Sequence, residues 1–108
     1  MNSTIKDMIE RRSIRKFRAD EVPQALIDEV IEAGLYAASG KGKQSPIIVA
    51  VTNPDLRTQI SRDNCRIGGW QEGHDPFYGA PVILMVLAPK VVPTAVEDGS
   101  LVLGNLML

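Results

Sequence analysis

The chain opens with apolar residues at helical spacing. Ile5, Met8 and Ile9 fall at i, i+3 and i+4, a narrow stripe that predicts a first helix capped by Ser3 or Thr4. Thr4 with Asp7 three residues on has the form of a capping box, with Asp in place of the usual Glu. The helix gives out at Glu10-Arg11-Arg12-Ser13-Ile14-Arg15-Lys16-Phe17, and Arg15–Phe17 reads as extended, with Phe17 buried. A second stripe, Leu26, Ile27, Val30, Ile31, Leu35 and Ala38, predicts a helix with Pro23 in its first turn and Asp28, Glu29 and Glu32 on the far side.

After the polar loop Ser39–Pro46 the period changes. Ile47–Thr52 is β-branched and does not alternate, which predicts a strand buried on both faces. Asn53-Pro54-Asp55 predicts a helix start, with Leu56 and Ile60 on a helix that reaches Cys65. A glycine-rich aromatic loop runs from Gly68 to Tyr78, and Gly79-Ala80-Pro81 leads into a second buried strand, Val82–Leu87. Asp98 is placed to cap a last helix, Ser100–Leu108, which is apolar almost all round and so expected in a core or an interface. Two strands do not make a free-standing sheet. The 108 residues are therefore expected to be the N-terminal part of a single, longer α+β domain.

Composition narrows the function classes. Hydrophobic content of 44% and charged content of 23% mark an ordinary globular chain. A net charge of −1 argues against nucleic acid as a main partner. No apolar run is long enough to span a bilayer, the start is unlike a signal peptide, and Cys65 has no disulfide partner. A cytoplasmic protein with no membrane partner is expected.

The chemistry concentrates in Arg11, Arg12, Ser13, Arg15 and Lys16. Arg presents a rigid, always-charged fork of N–H donors that matches phosphate oxygens two at a time, and Ser adds a short neutral donor. This is an anion hook in one reading and a solvated basic helix end in the other, and spacing alone leaves the two equal. Elsewhere the bland readings are stronger. His74 is expected as an exposed loop residue, Cys65 as a small residue at a helix end, and Trp70, Phe77 and Tyr78 as the edge of a core. One Cys and one His make no zinc site. Gly40-Lys41-Gly42-Lys43 precedes a strand instead of joining strand to helix, so it is no phosphate-cradling P-loop. Gly40 and Gly42 nonetheless suit a close backbone approach to a ring, while Lys41 and Lys43 read equally as a soluble tip or as contacts for a nicotinamide cofactor's phosphates.

Taken in order, the elements resemble the nitroreductase family of flavin-dependent oxidoreductases along the whole chain. Arg11-Arg12-Ser13-Ile14-Arg15-Lys16-Phe17 is similar to that family's N-terminal flavin mononucleotide (FMN) signature. The loop after the second helix is similar to its Pro-Ser-x-x-Asn-x-Gln-Pro-Trp. Ser39 and Gln44 match, whereas Ala38, Gly42, Ser45 and Pro46 stand where Pro, Asn, Pro and Trp are usual.

The resemblance implies a nitroreductase-like α-β-α sandwich with a central, mainly antiparallel sheet, here cut short. It implies a homodimer with FMN at the interface, held by Arg11, Arg12, Ser13, Arg15, Ser39, Gly40 and Gln44. Hydride would pass from NADH or NADPH by way of flavin N5 to a small-molecule electron acceptor such as a nitroaromatic or a quinone. No catalytic side chain and no metal ligand is expected, because the cofactor carries the chemistry. The fragment alone is expected to be inactive. The rival readings are a non-catalytic module that binds a flavin or a phosphorylated ligand, and a plain structural fragment.

Overall fold

A computed structural model describes all 108 residues. In chain order the elements are α1 (Ser3–Glu10), α2 (Gln24–Leu35), a single 3-10 turn (Gly40–Gly42), β1 (Ile47–Val51), α3 (Pro54–Gly68), β2 (Ile83–Leu87) and α4 (Ala95–Met107). The strands β1 and β2 pair antiparallel, and the chain is α+β as expected. Two compact units are present, one of Met1–Ser13, Gln24–Val49 and Val86–Leu108, the other of Ile14–Pro23 and Ala50–Met85.

In the first unit α2 packs on α4. Gly34 lies at that contact, where a Cβ would stand 2.7 Å from Leu106 Cδ2 and 2.9 Å from Ile48 Cδ1 and would displace those side-chain ends. Asn105 ties the helices together by donating its side-chain N–H to the Ala33 carbonyl at 2.9 Å. Ile27 and Val102 are the buried apolar residues of the two helices. The N-terminal cap of α1 falls one residue earlier than expected. Asn2, not Ser3 or Thr4, accepts the Ile5 N–H at 2.9 Å, because its extended backbone aims the carboxamide oxygen at the first turn.

The last helix also starts sooner. Thr94 precedes its first turn, and Asp98, expected as the cap, lies inside the helix as a buried residue. The strands are not buried on both faces. Ile47 and Val49 are exposed, and only Val51 and Ile83 are closed off, because a two-stranded sheet offers little face for other elements to cover.

In the second unit α3 begins as expected, with the Asn53 side chain accepting the Leu56 N–H at 3.0 Å and Pro54 in the first turn. It runs past Cys65 and ends where Gly69 turns left-handed, with the Trp70 N–H returning to the Cys65 carbonyl. Its inner face, Arg57, Ser61 and Cys65, holds the loop that follows. Arg57 donates to the Asp75 carboxylate at 2.6 Å and to the Ala80 carbonyl at 2.8 Å, and lies over the Phe77 ring. Ser61 Oγ donates to the other Asp75 oxygen, and the backbone N–H groups of Phe77 and Gly79 complete the set.

The Cys65 thiol points to the Gln71 carbonyl at 3.2 Å, which keeps it buried as a small packing residue. Phe17 is exposed, contrary to expectation, since Ile14–Pro23 forms neither helix nor strand that would press it inward. His74 departs in the other direction. It is half-buried, 5.5 Å from the Trp70 ring and 6.0 Å from the Tyr78 ring, and those two rings are the exposed members of the cluster.

Burial pushes the Asp75 carboxyl up, but the Arg57 guanidinium, the two backbone N–H groups and the Ser61 hydroxyl outweigh it, so its pKa lies well below the usual carboxylate range. A depressed folded-state pKa stabilises above the unfolded value of about 4, and that contribution is lost as pH falls below it. Asp75→Asn should therefore lower stability at pH 7 by about 1–3 kcal/mol in urea unfolding. It should also flatten the fall in stability of the wild-type protein below about pH 4.

Candidate functional site

The basic run leaves α1 directly. Arg11 is the residue after the last turn, with extended backbone and its N–H returned to the Asp7 carbonyl. Arg12 folds one arm of its guanidinium back, donating to the Ile9 and Arg11 carbonyls at 2.8 and 2.9 Å. That contact satisfies the free end of α1 and fixes the direction of the fork. Arg11, Arg12 and Ser13 are all exposed, and none of Arg11, Arg12, Arg15 or Lys16 is held in an ion pair. The guanidinium of Arg11 and the second arm of Arg12 keep their donors for an incoming anion. Arg15 is part of the second unit and is equally exposed.

Ser39, Gly40 and Gln44 are brought together in one tight turn between α2 and β1. Ser39 Oγ accepts the Gln44 N–H at 2.8 Å, and the Gln44 side-chain amide reaches the Leu35 carbonyl at the end of α2. Lys41 and Gln44 both take left-handed backbone, with φ of 54° and 51°, which costs a non-glycine residue energy and persists only where surrounding contacts hold it. The turn borders two hollows. One of about 520 Å³ is lined by Leu35, Tyr36, Ser39, Gln44, Ile48 and Val102. A second of about 350 Å³ is lined by Gly40, Lys41, Lys43, Val92 and Thr94. No hydrogen bond joins the turn to the Arg11–Ser13 hook.

The sequence pattern missed Thr94 and Asp98 as partners of this turn. Asp98, 2% exposed, accepts the Gly40 N–H at 2.9 Å on one oxygen and the Thr94 hydroxyl at 2.9 Å on the other. Thr94 packs against Gly40 so closely that a Cβ on residue 40 would run into its hydroxyl. Residues 40 and 98 are far apart in sequence, so only the helical position of Asp98 hinted at anything, and it hinted at a cap.

The sequence profile of the nitroreductase family matches residues 8–66, more than half of the chain, and includes both the hook and the turn. The chain belongs to the nitroreductase family. Among curated relatives, it is 35% identical over 80 residues to an NADH dehydrogenase of Thermus thermophilus, covering 74% of this chain and 36% of that one. It is 37% identical over 62 residues to an NADPH-flavin oxidoreductase of Vibrio harveyi, covering 57% and 26%.

The fold is shared with solved nitroreductases. One with bound FMN from Bacteroides fragilis superposes with a TM-score of 0.89 at 22% identity, covering 99% of this chain and 63% of that one. An FMN-dependent nitroreductase from Clostridium difficile gives 0.85 at 28%, covering 97% and 53%. The chain thus spans about a third of the Thermus relative's length and about a quarter of the Vibrio relative's.

The geometry of the turn makes a prediction. Gly40→Ala forces either Thr94 or the backbone to move, and should destabilise the protein by about 1–3 kcal/mol as judged by thermal unfolding.

Proposed function

We propose that this protein is an FMN-dependent oxidoreductase, drawing hydride from NADH or NADPH and passing it to a nitroaromatic, a quinone or a similar small acceptor. The observation that carries this reading is the hook. Three arginines and a serine leave α1 exposed and free of ion pairs, a donor set chemically suited to a phosphate monoester. Arg11, Arg12, Ser13 and Arg15 would hold the phosphate and ribityl part of FMN, and Ser39, Gly40 and Gln44 would border its ring. When bound, FMN supplies reversible hydride transfer at N5. The chain would supply position: guanidinium charge for the phosphate, and a hydrogen-bonded polar turn beside the ring.

We further infer that two copies assemble into a homodimer with FMN at the interface. The apolar stripe of α1 supports this, since Ile5, Met8 and Ile9 are all about half exposed. Leu101, Leu103 and Met107 of α4 are exposed in the same way. No helix is long and apolar enough to cross a membrane.

The direct test is the visible spectrum of the protein, purified with any natural continuation of the chain, before and after anaerobic NADH or NADPH. A flavin band that bleaches and returns with an acceptor supports the proposal, and a protein that takes up no FMN overturns it. Within that experiment, Arg11→Ala and Arg15→Ala should each weaken FMN binding by roughly 1.5–3 kcal/mol. Arg12→Ala should weaken it and also fray α1, seen as lost helical circular dichroism, because Arg12 alone among the three caps the helix.

A further inference from the structure

The Ser39–Gln44 turn contains two non-glycine residues in left-handed backbone and so requires anchoring from outside itself. It is anchored at both ends. Gln44 is tied to the last turn of α2 through the Leu35 carbonyl, and Gly40 is tied to the first turn of α4 through Asp98.

The Asp98 contact has the marks of a dedicated support. Its carboxylate is almost wholly buried and has no cationic partner. Burying a carboxylate without an ion pair is unfavourable unless hydrogen bonds compensate. Here one oxygen is given to the Gly40 N–H and the other to Thr94, whose side chain also occupies the space a Cβ on residue 40 would need. Thr94, just before α4, and Asp98, in its first turn, are four residues apart and both meet Gly40. An apolar residue at position 98 would serve a merely packed helix equally well. It would, however, leave the Gly40 N–H without the acceptor that Asp98 provides.

We propose that Asp98 is a positioning residue for the flavin site: by holding the Gly40 N–H it keeps the Ser39–Gln44 turn in the shape that borders FMN. This rests on the FMN reading above. Asp98 itself does not touch the cofactor in this scheme. It acts through Gly40, with Thr94 orienting the carboxylate.

The test uses the purified protein with FMN alone as probe, titrated by fluorescence, and reads backbone amide hydrogen exchange at Gly40 and along Lys41–Gln44. Asp98→Ala should weaken FMN binding about tenfold or more and speed exchange throughout the turn, while α3 keeps its protection. Asp98→Asn retains a neutral acceptor of similar shape, about half as strong as the carboxylate. It should restore part of both readouts, leaving FMN binding roughly threefold weaker than wild type.

If Asp98→Ala does not fold, Asp98→Asn decides. FMN affinity and Gly40 exchange both equal to wild type would overturn the positioning role. Lower thermal stability with unchanged FMN affinity would also overturn it, since Asp98 would then be a structural residue only. A wild-type protein that takes up no FMN would remove the flavin reading itself. An FMN-binding wild type with an indifferent Asp98→Asn would remove only the role of Asp98.

Discussion

A buried carboxylate that answers to hydrogen bonds alone, with no cation beside it, is the constraint on which the candidate site depends. Asp98 lies in the first unit at the start of α4, and its oxygens are divided between Gly40 and Thr94. Both donors have to be where they are, or the charge is left uncompensated in a poorly solvated place. The same contact forces residue 40 to lack a Cβ, and it stabilises a turn whose left-handed residues would otherwise relax. The packing of α2 on α4 joins the end of α2 to the last turn of α4, where Gly34 meets Leu106 and Asn105 bonds the Ala33 carbonyl. Asp98 holds the turn that follows α2 to the first turn of α4.

The second unit solves a related problem differently. Asp75 is paired with Arg57 and also receives Ser61 and two backbone N–H groups, so its charge is compensated several times over. The loop it organises is long and rich in glycine, and α3 secures it with three side chains one turn apart, Arg57, Ser61 and Cys65. Here the carboxylate serves the stability of the loop. In the first unit the carboxylate serves the shape of a turn at the candidate site.

Much of the fold was legible in the chain itself. The 3.6-residue stripes of α1 and α2, the Asn53-Pro54 start of α3 and the change of period at Ile47 are local signals, and local backbone chemistry decided them. The hook was legible for the same reason, since five donors within six residues need no tertiary structure to lie near one another. Where local reasoning failed, the helix started earlier than the expected cap, and backbone geometry set the start. Asn2 displaced Ser3 and Thr4 as a cap because its backbone alone was extended at the right place, and Asp98 fell a turn inside the helix it was expected to begin. His74 was misplaced because contact with Trp70 and Tyr78 depends on how a glycine-rich loop folds, which no periodicity encodes.

By itself, then, the sequence determined the type and order of the elements, the family pattern they spell, and the cluster of phosphate-seeking donors at the end of α1. Each of these rests on residues within a few positions of one another, where backbone sterics and hydrogen-bond chemistry act directly. Only the tertiary structure decided which carboxylates are buried and which donors they hold. Asp98 with Gly40 and Asp75 with Arg57 are separated by 58 and 18 residues, and nothing along the chain marks such pairs before packing brings them together.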